Sequence, residues 1–373
     1  MDKNLVESVL KNLKSWIKEW STIEEKDLQF KRLTGITNRT YCVSHKKDDI
    51  LPKKVLLRVF GGDVEDIFID RSDELIVYQA AASNNLGPCI HGENKQMRAE
   101  QWIESRVLKQ LEMNKPYYRR KVALLLNQFH QQKVQGIHEK PLPLKIFDDQ
   151  VSIKAAKDKI SEKSDIFNKE EIIKINEIQK YWLTEEEMQF MKKNLPKSEE
   201  SIVFSHNDLL ANNVLIDEKH KFFFIDFEYA CYNYRSFDIA NFFIESQFDY
   251  DVEQPPYFHL EQEMLNMDDI KDFVRYYALG SQLNLQEITL EQEDQLVENE
   301  QYFNEQIKDL NKFDKEVEDI MKEIPLFMLF SNYFWGIWAI VMSKNPEIDF
   351  DYIEFSHARL KKYQLIKETY FGK

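Results

Sequence analysis

A chain of 373 residues exceeds one minimal domain and suits two lobes, and 43% hydrophobic with 13% aromatic residues is enough to build a sizeable core. The formal net charge is −15, from 50 basic and 65 acidic residues, which argues against a general nucleic-acid binder and against a protein held on anionic lipid. Three widely spaced cysteines, Cys42, Cys89 and Cys231, form neither a zinc pattern nor a disulfide framework, so the reducing cytoplasm is the expected compartment.

The first residues lack a basic stretch leading into an apolar one, so no secretory signal is expected. Leu5, Val9, Leu13 and Ile17 recur at helical spacing and predict an amphipathic leading helix within residues 1–30. Arg32–Val43 predicts two strands joined by a turn at Gly35 and Asn38, and Lys53–Phe60 a third strand ended by Gly61-Gly62. A helix follows over 70–82, Leu86-Gly-Pro breaks it, and Ala99–Ile103 reads as a further short strand. From about Arg106 the pattern is mostly helical, most clearly at Tyr117–Gln131. Residues 157–200, rich in Lys, Glu and Asn, predict solvated helices or a loosely ordered insertion, and 285–323 an acidic helical block. One small β element interrupts this half: Val214-Leu-Ile216, a polar turn, then Phe222–Ile225. The longest apolar stretch, Leu326–Met342, is broken by Ser331-Asn332 and falls short of the ~20 residues a bilayer requires. It predicts a buried core helix and no membrane span. The outline is α+β: a small lobe over 1–105 built on an antiparallel sheet, then a large, mainly helical lobe over 106–373. That is the outline of a two-lobed, protein-kinase-like fold.

The chemistry concentrates in Ser205-His-Asn-Asp-Leu-Leu-Ala-Asn-Asn-Val-Leu-Ile216, followed by Phe224-Ile-Asp-Phe-Glu-Tyr229. Asp208 and Asn213 stand five apart in a loop that feeds a strand, and Asp226 ends the next strand. A tight hairpin brings all three to one edge. Phosphoryl transfer to a hydroxyl needs such a set: one carboxylate to orient the hydroxyl and take its proton, and a second carboxylate with an amide oxygen to hold a metal on the phosphates. Asp208 is the candidate base; Asn213 and Asp226 are the candidate metal ligands. Any one of them alone would read as a turn or cap residue. The ordered triple within a strand–turn–strand context is what points to catalysis.

Together with Tyr232-Asn-Tyr-Arg-Ser-Phe-Asp-Ile-Ala-Asn-Phe-Phe-Ile-Glu245, these motifs resemble the choline/ethanolamine kinase family, a likeness that runs from about Arg32 to Tyr363. The resemblance implies ATP and Mg2+ as cofactors and phosphorylation of the hydroxyl of choline, with ethanolamine as the alternative acceptor. This is the entry step to membrane phospholipid synthesis. It further implies ATP contacts at Gly35 and Asn38 in a phosphate-covering loop and at Arg58, which stands where protein kinases carry a phosphate-binding lysine. Glu74 becomes the helical ion-pair partner of Arg58, while Gln101 and the backbone of Ile103 meet adenine. Members of the family are often homodimers.

The substrate pocket also has a physical case of its own. Asp238, Asn241 and Glu245 lie at i, i+3 and i+7, one face of an otherwise apolar helix. Trp335 and Trp338 are i, i+3 neighbours, and Tyr229, Tyr250, Phe350 and Phe355 add rings. A carboxylate within an aromatic cage suits a quaternary ammonium. By the resemblance, Asn241, Glu245, Trp335 and Trp338 are substrate-site positions, whereas Asp238 and His206 brace the 205–208 loop; Arg235 receives no role. Leu210 stands where choline kinases usually carry Gln and ethanolamine kinases often carry Leu; Phe355 replaces a Tyr and Phe242 a His of animal members. Phe248-Asp-Tyr250 and the Trp335/Trp338 spacing are closer to choline kinases, and choline is favoured. An aminoglycoside-type phosphotransferase would share the Asp…Asn…Asp logic but calls for a hydrogen-bonding, acidic pocket. An inactive scaffold would have lost one of the three.

Overall fold

The apolar stripe at the start of the chain forms a helix because its four residues need one buried face. The computed structural model describes residues 3–33, 39–60, 71–162, 166–261, 263–343 and 350–372. In it, α1 (Lys3–Trp16) lays Val9 and Leu13 on a five-stranded antiparallel sheet. The strands are β1 (Leu28–Arg32), β2 (Arg39–His45), β3 (Lys54–Val59), β4 (Ile90–Glu93) and β5 (Met97–Gln101), ordered β1-β2-β3-β5-β4. The first strand thus ends near where it was predicted to begin. β4 was not predicted: it is short and bulged, so it lacks a period-two signature.

Alternation within the central strands separates two environments. Val55, Leu57, Val59, Met97 and Ala99 face α1 and close the small lobe's apolar core with Val9, Leu13, Ile17 and Trp20. The opposite face carries Arg58, Arg98 and Glu100, which are buried as well. In the β3–β5 register Arg58 stands directly across from Arg98, and Leu56 across from Glu100. This polar face lies beside α2 (Arg71–Ser83), whose Val77, Tyr78 and Ala81 belong to the larger core of the second lobe. In packing terms α2 therefore bridges the two lobes.

The chain enters the second lobe through β6 (Ser105–Val107), and then α3 (Pro116–His130) runs through its interior. β7 (Ile202–Ser205), β8 (Val214–Asp217), β9 (Phe222–Phe224) and β10 (Cys231–Tyr234) form two small sheets, β6-β8-β9 and β10-β7. The predicted hairpin is β8–β9, with Val214 across from Phe224. Helices α4 (Arg235–Glu245), α5 (Met267–Gly280), α6 (Leu310–Met342) and α7 (Tyr352–Phe371) complete the frame. α6 is long and apolar enough to cross a membrane by length and composition, yet 83% of its most apolar window is buried inside the fold.

Of the two alternatives for residues 157–200, helices are what the described residues form, although they bury more than solvated helices would. Val151–Glu162, Lys169–Trp182 and Glu185–Asn194 are helices that bury Ile175, Ile178, Trp182, Met188 and Met191. Charged residues on the outer faces hid that narrow apolar stripe. Trp182 sits so close to α6 that a Cβ on Gly336 would fall 2.2 Å from its ring. The turn residues Gly35 and Asn38, with Gly61 and Gly62, lie outside the described residues.

Candidate active site

β7 ends at Ser205, and the backbone then turns through Asn207 at φ +66°, a left-handed conformation that Asn tolerates better than most residues. Asp238, fully buried on α4, accepts from both backbone amides of the turn: His206 N to Oδ2 at 2.7 Å and Asn207 N to Oδ1 at 2.7 Å. This is the bracing role the sequence suggested. His206 shares it through Nε2, 3.0 Å from the Ile225 carbonyl, and burial lowers its pKa, favouring the neutral ring. His130 of α3 ties the brace to the helical frame, with Nε2 2.9 Å from Asp238 and Nδ1 2.8 Å from the Tyr277 hydroxyl.

The loop and the β8–β9 hairpin bring the predicted triple together. Asn213 Nδ2 donates to the Asp208 carbonyl and to Asp208 Oδ2, both at 2.8 Å. Ile225 N donates to the Asn213 carbonyl at 3.1 Å, which fixes Asp226 one residue on. Asp226 itself has φ +65°, and Arg58 Nη1 reaches its Oδ1 at 3.1 Å. The Asp208 carboxyl is held well above the usual carboxylate range by its enclosure and then by the charges of Asp226 and Glu245. Glu228, two residues past Asp226, is raised by the same causes, enclosure first and Asp226 next. No role was read for Glu228 in the sequence, although its i, i+2 spacing from Asp226 was a usable signal. Crowded carboxylates beside an amide whose nitrogen is already engaged leave hard oxygen donors, Asn213 Oδ1 and the Asp226 carboxylate, suited to a divalent cation such as Mg2+.

Among the residues expected to serve ATP, one predicted ion pair is replaced. Glu74 does not pair with Arg58; its Oε1 accepts from Arg98 Nη2 at 2.6 Å. Strand register explains this, because Arg98 of β5 stands opposite Arg58 and takes the helix carboxylate. Arg98 was missed in the sequence. Gln101 ends β5 and Ile103 lies two residues on; with Gly87, Cys89, Trp102 and Phe223 they line a cavity of about 370 Å³.

The predicted pocket residues gather around α4, α6 and α7. Asn241 Oδ1 accepts from Trp335 Nε1 at 3.0 Å and from Ser331 Oγ at 2.8 Å, and Asn241 Nδ2 lies 3.4 Å from the Leu209 carbonyl, next to Asp208. Trp338 Nε1 donates to the Tyr229 hydroxyl at 2.9 Å. Ring contacts run without a break from Tyr229 to Trp335 (centroids 5.0 Å), Trp338 (5.5 Å), Tyr352 (5.7 Å), Phe350 (5.0 Å) and Phe355 (5.4 Å). Tyr352 was not among the predicted rings, nor was Phe248, which packs on Phe355 and Tyr250.

Glu245 departs from its expected part as a free counter-charge. One oxygen meets the buried guanidinium of Arg359, and the other accepts from Tyr250 Oη at 2.8 Å. Arg359 in turn lies 4.5 Å from the ring centres of both Phe248 and Phe355. It lies 114 residues from Glu245, so only the tertiary fold joins them. Arg235, to which the sequence assigned nothing, pairs with Glu316 at 3.2 Å.

Comparison with known proteins agrees with this geometry. Residues 30–364 match the family model described as choline/ethanolamine kinase. The chain is 27% identical over 367 residues to "Probable choline kinase 2" of Arabidopsis thaliana, covering 97% of this chain and 93% of that protein. It is 26% identical over 370 residues to "Probable ethanolamine kinase" of the same plant, covering 99% and 87%. The crystal structure of a choline kinase from Cryptosporidium parvum shares the fold, with a TM-score of 0.74 at 23% identity over 98% of this chain and 96% of that one.

Proposed function

The chain belongs to the choline/ethanolamine kinase family, and from that membership we propose that it transfers the terminal phosphoryl group of ATP to the hydroxyl of choline, giving phosphocholine and ADP. Asp208 orients the hydroxyl and receives its proton; a carboxylate made more basic by its surroundings is better matched to that task near neutral pH. Asn213 and Asp226 would hold Mg2+, which when bound neutralises charge on the ATP phosphates. Arg58 contacts the phosphates with a planar fork suited to two oxygens. Gln101 and the backbone of Ile103 meet adenine.

The choice of choline rests on one observation: the hydrogen-bond acceptors of the pocket are already engaged. Glu245 is shared between Arg359 and Tyr250, Asn241 Oδ1 between Ser331 and Trp335, and the Tyr229 hydroxyl accepts from Trp338. A primary ammonium brings three N–H donors that need acceptors, whereas a trimethylammonium needs only ring faces. Ethanolamine is the second reading, favoured by Leu210 beside the catalytic loop. The test is a coupled ADP-release assay with each amino alcohol in turn and Asp226→Ala as control. Choline preference lost in the variant supports the proposal; ethanolamine preference transfers the pocket to the second reading. Turnover that survives Asp226→Ala removes the metal assignment.

A further inference from the structure

The buried polar face between the sheet and α2 contains more charge than the phosphate contact requires. Arg98 is 1% exposed and has three carboxylate neighbours: Glu74 of α2 at 2.6 Å from Nη2, Glu100 at 2.9 Å from Nε, and Glu93 at 3.5 Å from Nη1. Its guanidinium lies 4.2 Å from the ring centre of Tyr78, also on α2. The Glu100 oxygen that binds Arg98 Nε is also 3.5 Å from Arg58 Nε, and Arg58 Nη1 reaches Asp226. The ion pairs thus run in one line, Glu74–Arg98–Glu100–Arg58–Asp226, from helix α2 to the metal edge. Like charges directly across a strand pair repel. Arg58 and Arg98 are tolerated face to face because Glu100 lies between them.

We propose that Arg98 is a positioning residue for ATP: it transmits the placement of α2 to Arg58 through Glu100, in place of a direct bond from helix to phosphate arginine. This rests on the reading of Arg58 as the phosphate contact. The guanidinium holds Glu74 through Nη2 and Glu100 through Nε, two nitrogens at a fixed spacing, whereas a lysine ammonium would have to reach both carboxylates from one point. Without that hold, Arg58 keeps its charge but loses the placement of Glu100, the carboxylate 3.5 Å from its Nε. The consequence falls on ATP and leaves the amino-alcohol pocket untouched.

The experiment is steady-state kinetics of Arg98→Lys, Arg58→Ala and the double variant, with thermal midpoints alongside. Arg98→Lys is expected to raise KM for ATP by about tenfold, the scale of one hydrogen bond to a charged group, with KM for choline unchanged and the protein still folded at the assay temperature. In the Arg58→Ala background, adding Arg98→Lys should change nothing further. An unchanged KM for ATP in Arg98→Lys, or the same factor in both backgrounds, overturns the relay while leaving Arg58 in place. An unchanged KM for ATP in Arg58→Ala overturns the phosphate-contact reading and the relay with it. Should Arg98→Lys fail to fold, Glu74→Gln, which keeps the shape of the helix partner, is judged by the same two criteria.

Discussion

The proposed phosphate edge and amino-alcohol pocket both gather carboxylates, partly buried at the edge and buried in the pocket, but they leave them in opposite conditions. At the edge, Asp208, Asp226 and Glu228 crowd one another, and Asp208 and Glu228 are pushed up in pKa by enclosure and by their neighbours. In the pocket, Glu245 already has its cation, Arg359, within the chain. At the edge a single arginine, Arg58, meets Asp226 while Asp208 and Glu228 have no cation of their own among the described ion pairs; in the pocket Glu245 is matched by Arg359. On the proposed function, the first region acts through its charge and the second through shape and ring faces. A cationic substrate admitted to the second does not need to compete for an unpaired carboxylate.

The largest expected effect tests the edge. Asp208→Ala should lower kcat by about 10³-fold, the scale of a lost general base, with the thermal midpoint equal to or above that of the parent. A collapse of the midpoint would make Asp208 a structural residue and erase the contrast. Next comes the pocket's internal cation. Arg359→Met should cost about 3–5 kcal/mol in a urea titration, because the buried Glu245 is left unpaired. The double variant Glu245→Gln/Arg359→Met should recover most of it. A single variant as stable as the parent would mean that Glu245 is free to serve the substrate after all.

A smaller effect separates rings from charge. Trp338→Leu should raise KM for choline by about tenfold, from the loss of one cation–π face, and KM for ethanolamine by less. Equal losses for both would return recognition to hydrogen bonding. The smallest effect lies one helical turn beyond Arg359, at Lys362. This buried ammonium meets the carbonyls of Glu261 and Glu263, and burial lowers its pKa to about 8. Between that value and 10.5 the folded chain has released a proton that the unfolded chain still holds, so stability from this group rises with pH across the window. Measured by urea unfolding, the parent should gain on Lys362→Met between pH 7 and pH 10. A constant difference would show that Lys362 titrates alike in both states.

The two regions also differ in how far the sequence revealed them. Asp208, Asn213 and Asp226 lie within 19 residues on a loop and a hairpin, so spacing alone implied their meeting. Asp238, Asn241 and Glu245 were readable as one helix face, and the structure finds them at Asn207, Leu209 and Arg359 respectively. The partner of Glu74 was not readable. Two arginines on adjacent strands were available, and the choice between them depends on register across β3 and β5. Arg359 was hidden for a related reason: α7 buries Ser356, Arg359 and Lys362 among its apolar residues, so it has no clean polar face to mark them. The helices within 157–200 were one of two alternatives in the sequence, and their burial was missed because their charge content outweighed a stripe of a few large side chains.

The approach of Trp182 to Gly336 links that segment to the proposed pocket. Gly336 stands between Trp335 and Trp338 in sequence, and any side chain there would strike the indole of Trp182. The two regions are therefore not interchangeable parts. A chimera that imports the 151–194 segment from a relative inherits a requirement at position 336, and one that redesigns the tryptophan helix inherits a requirement at 182. Changes to the tryptophan helix are thus constrained from behind, by the indole of Trp182.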